Sequence, residues 1–227
     1  MNSKALKCII DKYGAADCED IKSHITDDTI LVSVMHVNNE NGAIMPLESI
    51  SAAIDRKKCA FHVDAVQSYG KIPVNIKRNK IDMLSISSHK IHGPNGAGAL
   101  YVRSGIRLNP VLLGGKQENG MRSGTENLAG ICGFAKAAEI KFADMAKTAE
   151  HISGLKKYLA DGLTKNIENV TVNSGEDSIY CILNVSFPGV KSEVLLHVLE
   201  SKGIYVSTGS ACNSKKKLNY VLKAMGL

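Results

Sequence analysis

Lys90, Asp64 and Cys212 are the side chains whose type and setting could do chemistry. Lys90 stands in Ser87-Ser-His-Lys-Ile-His-Gly-Pro94, where an apolar run meets a Gly/Pro turn. In open α/β sheets, ligands sit at such strand ends. A lysine amine becomes a nucleophile toward a carbonyl only when partial burial disfavours its ammonium form. Asp64 closes a second apolar run, in Phe61-His-Val-Asp-Ala-Val-Gln67. Alone, an acid there is a cap or turn former, and a lysine there is surface decoration. Paired, they fit a sharper chemistry, in which the amine bonds an aldehyde and the fixed anion keeps a pyridinium nitrogen protonated, so that the ring serves as an electron sink.

Cys212 lies in Ser207-Thr-Gly-Ser-Ala-Cys212-Asn-Ser-Lys-Lys-Lys217, a small, polar loop that ends in three lysines. An accessible thiol near positive charge is a candidate for a lowered pKa and a reactive thiolate, although an inert surface thiol has the same local composition. The other cysteines, Cys8, Cys18, Cys59, Cys132 and Cys181, form no C-x-x-C pair, so neither a zinc site nor a disulfide framework is indicated, and most are expected to be reduced, buried small hydrophobes. His24, His151 and His197 fall in helical patterns and are expected to be solvated or packed, while His36 and His92 stay undecided near the candidate site.

The elements that must position these groups alternate between short apolar runs and helical patterns. Strands are expected over 29–35, 60–63, 83–87 and 97–102, with a helix over 46–58 between the first two. This alternation argues for an α/β layer with a largely parallel sheet, and runs that are apolar throughout suit strands covered on both faces. From Asn127 onward, apolar residues recur every three or four positions through Met145, which predicts a long helical stretch. A smaller unit follows, with strands over 181–187 and 204–206 flanking a helix over 192–202. Residues 1–145 are therefore expected to belong to a large domain, and residues 146–227 to a small one carrying the cysteine loop.

Composition sets bounds on the partners. The net charge of +6 comes from dispersed lysines, and there is no Trp and only 5% aromatic content, which argues against a nucleic-acid face. No apolar stretch reaches the roughly 18 residues of a membrane span, and Met1-Asn-Ser-Lys4 lacks a signal peptide's apolar region, so a cytoplasmic location is expected.

Five motifs stand in one order along the chain: Met35-His-Val-Asn-Asn-Glu-Asn-Gly42, His62-Val-Asp-Ala-Val-Gln67 with Gly70-Lys71, Ser87-Ser-His-Lys-Ile-His-Gly-Pro94, Gly120-Met-Arg-Ser-Gly-Thr125 and Ser207-Thr-Gly-Ser-Ala-Cys212. In order and spacing they resemble the IscS/NifS cysteine desulfurases, over nearly the whole chain. The resemblance implies a pyridoxal-phosphate fold of type I, with a mainly parallel central sheet and a smaller C-terminal α/β domain. It implies that Lys90 binds pyridoxal 5'-phosphate covalently, that Asp64 pairs with the pyridine nitrogen and that Gln67 bonds the phenolic oxygen. Ser87 and His89 would contact the phosphate, His89 would also sit beside the catalytic lysine, and Asn39 would lie beside ring and substrate. Thr125 looks like the residue lent to the phosphate of a neighbouring subunit, which implies a homodimer. Cys212 would accept sulfur from L-cysteine as a persulfide and leave alanine. No metal is implied. An iron–sulfur scaffold protein or a tRNA-thiolation enzyme would receive the sulfur.

Members of that family are longer at both ends. The resemblance therefore implies that a phosphate-binding Gly-Ala-Thr loop and a ring-stacking histidine precede the matched region, and that a substrate-gripping arginine follows it. Three readings stay open on the sequence: a cysteine desulfurase; another fold-type-I enzyme such as a selenocysteine lyase or an aminotransferase; and a truncated desulfurase fragment inactive on its own.

Overall fold

In the computed structural model, the structure describes residues 10–54, 59–209 and 220–226. These residues divide into two units. One comprises Asp27–Met35 and Ile54–Met145, and the other Met1–Thr26, His36–Ala53 and Ala146–Leu227.

The unit that carries Lys90 is built on a four-stranded sheet in the order β1 (Leu31–Met35), β2 (Ala60–Asp64), β3 (Met83–Ser87), β4 (Gly98–Val102). β1 pairs with β2 and β2 with β3 in parallel, while β4 runs antiparallel to β3, so the sheet is mainly parallel as expected. The antiparallel turn has a simple cause. The connection after β3 is the 3-10 turn Ser88–Ile91 and the short segment 92–97, too little chain for a crossover back to the same edge.

Burial alternates along β2, with Phe61 and Val63 fully covered and His62 and Asp64 half-buried. The register places Ser33 beside His62, and Met35, Asp64 and Ser85 in one row. One sheet face carries the polar groups Ser33, His62, Asp64, Ser85 and Ser87 among Leu31, Met35, Met83 and Leu100, and the other bears Val32, Val34, Phe61, Val63, Leu84 and Ile86. The expectation of strands covered on both faces fails here. Among the described residues, β1 and β4 have one neighbouring strand each, and Leu31, Leu100 and Tyr101 stay exposed.

Asp82, directly before β3, ties three strands together. Its backbone N–H donates to Phe61 O, its Oδ2 accepts from Phe61 N at 2.8 Å, and its Oδ1 accepts from Arg103 Nε at 2.6 Å. Arg103 N also donates to Asp82 O. The carboxylate is almost wholly buried, while Arg103 remains half in water.

α3 (Leu128–Ala143) begins where expected, because Asn127 caps it by accepting from Gly130 N at 3.0 Å. It backs the Lys90 turn. A Cβ at Gly133 would stand 2.5 Å from Pro94 Cγ, so only glycine lets the proline ring reach the helix. Tyr69 packs edge-on against Phe134 and Phe142, with ring centroids 6.1 and 5.2 Å apart.

In the other unit, α1 (Cys18–His24) is capped by Asp17 and packs on α2 (Leu47–Ala53). The helix expected over 46–58 ends at Ala53, and residues 55–58 lie outside the described residues. α4 (Met145–Asn166) carries Lys156, whose ammonium donates to Ser178 Oγ at 2.6 Å, Ile179 O at 2.9 Å and Ser178 O at 3.3 Å. That staple explains why the strand expected over 181–187 shrinks to β6 (Val185–Ser186), paired antiparallel with β5 (Thr171–Val172). Ile179 is buried, its N–H donates to Gly42 O, and the chain folds as turns around it instead of extending. α5 (Ser192–Glu200) forms as expected, but 204–206 is not a strand: Ile204 N returns to Leu199 O, and the segment is exposed. A short α6 covers Tyr220–Ala224.

Because Asp82 is buried with its partners attached, Asp82→Ala strands the Phe61 amide and releases Arg103. A loss of about 2–4 kcal/mol in unfolding free energy is expected from denaturant titration. An unchanged midpoint would show that the carboxylate does not hold the sheet register.

Candidate active site

Parallel pairing brings the carboxyl ends of β2 and β3 side by side, the edge at which open α/β sheets bind ligands. Asp64 is the last residue of β2, and Ser87 the last of β3, with His89 and Lys90 in the turn that follows. Ile91, wholly buried, anchors that turn, and His92 closes it in the left-handed region with φ 66°, its N–H donating to Ser88 O. Lys90 is half-buried, and its amine makes no hydrogen bond or ion pair among the described residues. A cradled amine without a partner is open to reaction.

The surrounding groups are oriented locally. Asp64 Oδ1 accepts from Val66 N at 2.9 Å, which turns the chain out of β2. Gln67 Oε1 faces Lys71 Nζ at 3.4 Å, which leaves the amide NH2 as the outward donor. Ser87 Oγ and His89 Nδ1 are 2.8 Å apart. Thr125 is exposed in the loop before α3, a loop held by Ser123 Oγ donating to Leu112 O and Gly124 N donating to Gln117 Oε1. The structure thus gathers Asp64, Gln67, Ser87, His89 and Lys90 at one sheet end.

Asn39 belongs to the other unit, in the turn 38–43. There Asn38 Oδ1 accepts from Glu40 N and Asn41 N, and Asn41 Oδ1 from Ala43 N. Gly42, at φ 80°, is needed for that turn and for the close packing of Ile179 and Ile182. Cys212 lies outside the described residues. Of the other cysteines, Cys59 is buried, Cys18 is half-buried with its thiol pushed up by burial and by Asp17 and Glu19, and Cys132 and Cys181 are exposed. The last two correct the expectation of buried thiols: Cys132 lies near the start of α3, where only Gly130 and Phe134 are turned inward, and Cys181 follows the stapled turn.

Three polar residues were missed by reading the apolar runs as uniform. Ser33 Oγ and His62 Nδ1 are 2.8 Å apart, and His62 Nε2 and Ser85 Oγ are also 2.8 Å apart. Their signal was a polar side chain at every second position of the strand. Ser88 Oγ, fully buried against Gly93, has no hydrogen-bond partner among the described residues.

This donor set suits one kind of guest. Hydroxyl and imidazole at Ser87 and His89 can hold an anionic group, and the Asp64 carboxylate a protonated ring nitrogen. The Lys90 amine can bond an aldehyde carbon. Among the described residues, no cluster of three His, Cys, Asp or Glu could hold a metal ion, and no helix is long and apolar enough to cross a membrane.

The family model described as Aminotransferase class-V matches residues 4–225. The cysteine desulfurase IscS of Dictyoglomus turgidum is 42% identical over 220 residues, which is 96% of this chain and 56% of that protein. The cysteine desulfurase IscS 1 of Archaeoglobus fulgidus is 45% identical over 219 residues, covering 96% and 57%. Among solved structures, a NifS-like protein superposes with a TM-score of 0.90 at 38% identity, over 98% of this chain and 59% of that one. A NifS-like protein from Rickettsia africae gives 0.88 at 30% identity, over 97% and 59%. The chain spans a little over half the length of the curated relatives it matches.

His36, within the Asn39 motif, is buried with Nδ1 unpartnered among the described residues, and burial lowers its pKa from 6.5 to about 4. The unfolded chain therefore takes up a proton near pH 6.5 that the folded chain refuses until about pH 4. Stability from this group is complete above pH 6.5 and is lost as pH falls toward 4, by about 3 kcal/mol in all. Replacing His36 with Leu is expected to flatten that part of the stability curve, measured by urea unfolding at stepped pH. A slope that persists in the variant would assign it to other groups.

Proposed function

Because the chain belongs to the class-V aminotransferase family, we propose that it is the Lys90-bearing part of a pyridoxal-phosphate-dependent cysteine desulfurase. The observation that supports this reading is the placement of Asp64 at the end of β2, beside the end of parallel β3 from which the turn bearing the unpartnered Lys90 amine departs. Residues 1–145 then belong to the large cofactor-binding domain and 146–227 to the small one.

When bound, pyridoxal phosphate supplies an electron sink conjugated to the substrate's α-carbon. Lys90 Nζ holds the cofactor covalently. The same atom would be the base placed to take the α-proton of L-cysteine. Asp64 keeps the ring nitrogen protonated, Gln67 donates its amide to the phenolic oxygen, and Ser87 and His89 bind the phosphate. Asn39 orients ring and substrate. The Cys212 thiolate attacks the substrate sulfur: an S–S bond forms, the carbon–sulfur bond breaks with its electron pair going to carbon, and protonation there yields alanine. Thr125 serves the phosphate of a second subunit in a homodimer. The persulfide passes to an iron–sulfur scaffold protein or a tRNA-thiolation enzyme, and the reaction is cytoplasmic.

Lys90→Ala is expected to abolish the visible absorbance that pyridoxal phosphate gives on binding, together with the borohydride-fixed adduct seen by mass spectrometry. An adduct retained on the variant would sink the assignment. Cys212→Ser is expected to keep cofactor binding and lose persulfide formation from cysteine. Persulfide still forming would move the sulfur acceptor to another thiol. Unimpaired turnover of amino acids without Cys212 would favour an aminotransferase.

A further inference from the structure

We propose that His62, held at both ring nitrogens by serines on the two flanking strands, is a positioning residue that fixes the Asp64 carboxylate for its ring-nitrogen partner. The proposal rests on the desulfurase reading and adds to it a residue with no assigned role.

The geometry begins with the register. His62 and Asp64 are two apart on β2, and so share the polar face. His62 Nδ1 lies 2.8 Å from Ser33 Oγ on β1, and Nε2 lies 2.8 Å from Ser85 Oγ on β3. Ser85 is the register partner of Asp64 itself. The imidazole therefore bridges all three parallel strands at the row directly beneath the carboxylate.

A neutral imidazole suits this place because it has one donor and one acceptor nitrogen. If Nε2 carries the proton, Ser33 donates to Nδ1, Nε2–H donates to Ser85 Oγ, and the Ser85 hydroxyl proton is free for an acceptor in the Asp64 row. Burial holds the His62 pKa below its ordinary value, with Asp64 pulling in the opposite direction. Asp64, on the same strand, is the charged group that acts on the ring, and β1 and β3 present Ser33, Met35 and Ser85, all uncharged. A neutral His62 supports the carboxylate without neutralising it. A cation at the same point would compete with the ring nitrogen for Asp64.

The test has two arms. In the cofactor-free chain, NMR follows the titration of the His62 ring, and Asp64→Asn is expected to lower its midpoint further, because the carboxylate's charge holds it up. A midpoint that does not move overturns the coupling. In the cofactor-loaded chain, His62→Phe is expected to weaken retention of pyridoxal phosphate by about tenfold and to shift the pH at which its absorbance changes. His62→Gln, which keeps a donor and an acceptor, restores most of both. Ser85→Ala, which leaves the ring in place, falls between them and substitutes for the phenylalanine variant should that fail to fold. Equal impairment of the Phe and Gln variants reduces His62 to packing and overturns the proposal. Absence of any Lys90-dependent adduct in the unaltered chain overturns the desulfurase reading and the cofactor half of this one. Loss of coupling with the adduct present overturns His62 alone.

Discussion

The site depends first on the register of β2 against β3, and Asp82 holds that register. Its buried carboxylate is tied to Phe61 on one side and to the half-exposed Arg103 on the other, so neither neighbouring strand can slide without breaking a charge-assisted bond. A slip of one residue would turn His62 and Asp64 to the other face and put Phe61 and Val63 at the proposed site. Asp82 therefore acts on the chemistry at a distance, by deciding which side chains face it.

From that register the rest of the site follows by short steps. Asp64 ends β2, Ser87 ends β3, and the 3-10 turn carries Lys90 out over the same edge while Ile91 plugs the core. α3 then closes over the turn, with Gly133 admitting Pro94 and with Phe134 and Phe142 clasping Tyr69. Each of these packing contacts is made by an apolar or backbone group. The polar groups at the sheet edge are left to the ligand.

Much of this was legible in the residues. β2 and β3 stand out as short apolar runs, and Asp64 and Lys90 are conspicuous because they interrupt apolar chain at its turn. Asn127 announces α3 as a cap must. Other features were hidden for physical reasons. The Ser33–His62–Ser85 bridge joins residues far apart in sequence and was masked by the apolar side chains between them, although a period-two reading would have exposed it. The antiparallel β4 could have been inferred from the brevity of 92–97. The apolar stretch around Ile179 and Ile182 looks like a strand because burial and extension demand the same residues. Only the Lys156 staple and the contact with Gly42 decide that it is a turn.

Gly133 has a further consequence. The Lys90 turn is aimed by the volume of what lies behind it, since a proline ring rests where a side chain on α3 would otherwise be. On the proposed function, reactivity at the lysine is then a mechanical variable as well as an electrostatic one: a methyl group added a layer away, on an uncharged residue of α3, would tilt the turn that carries it. Such a position offers a dial for tuning the site that leaves every reacting group in place.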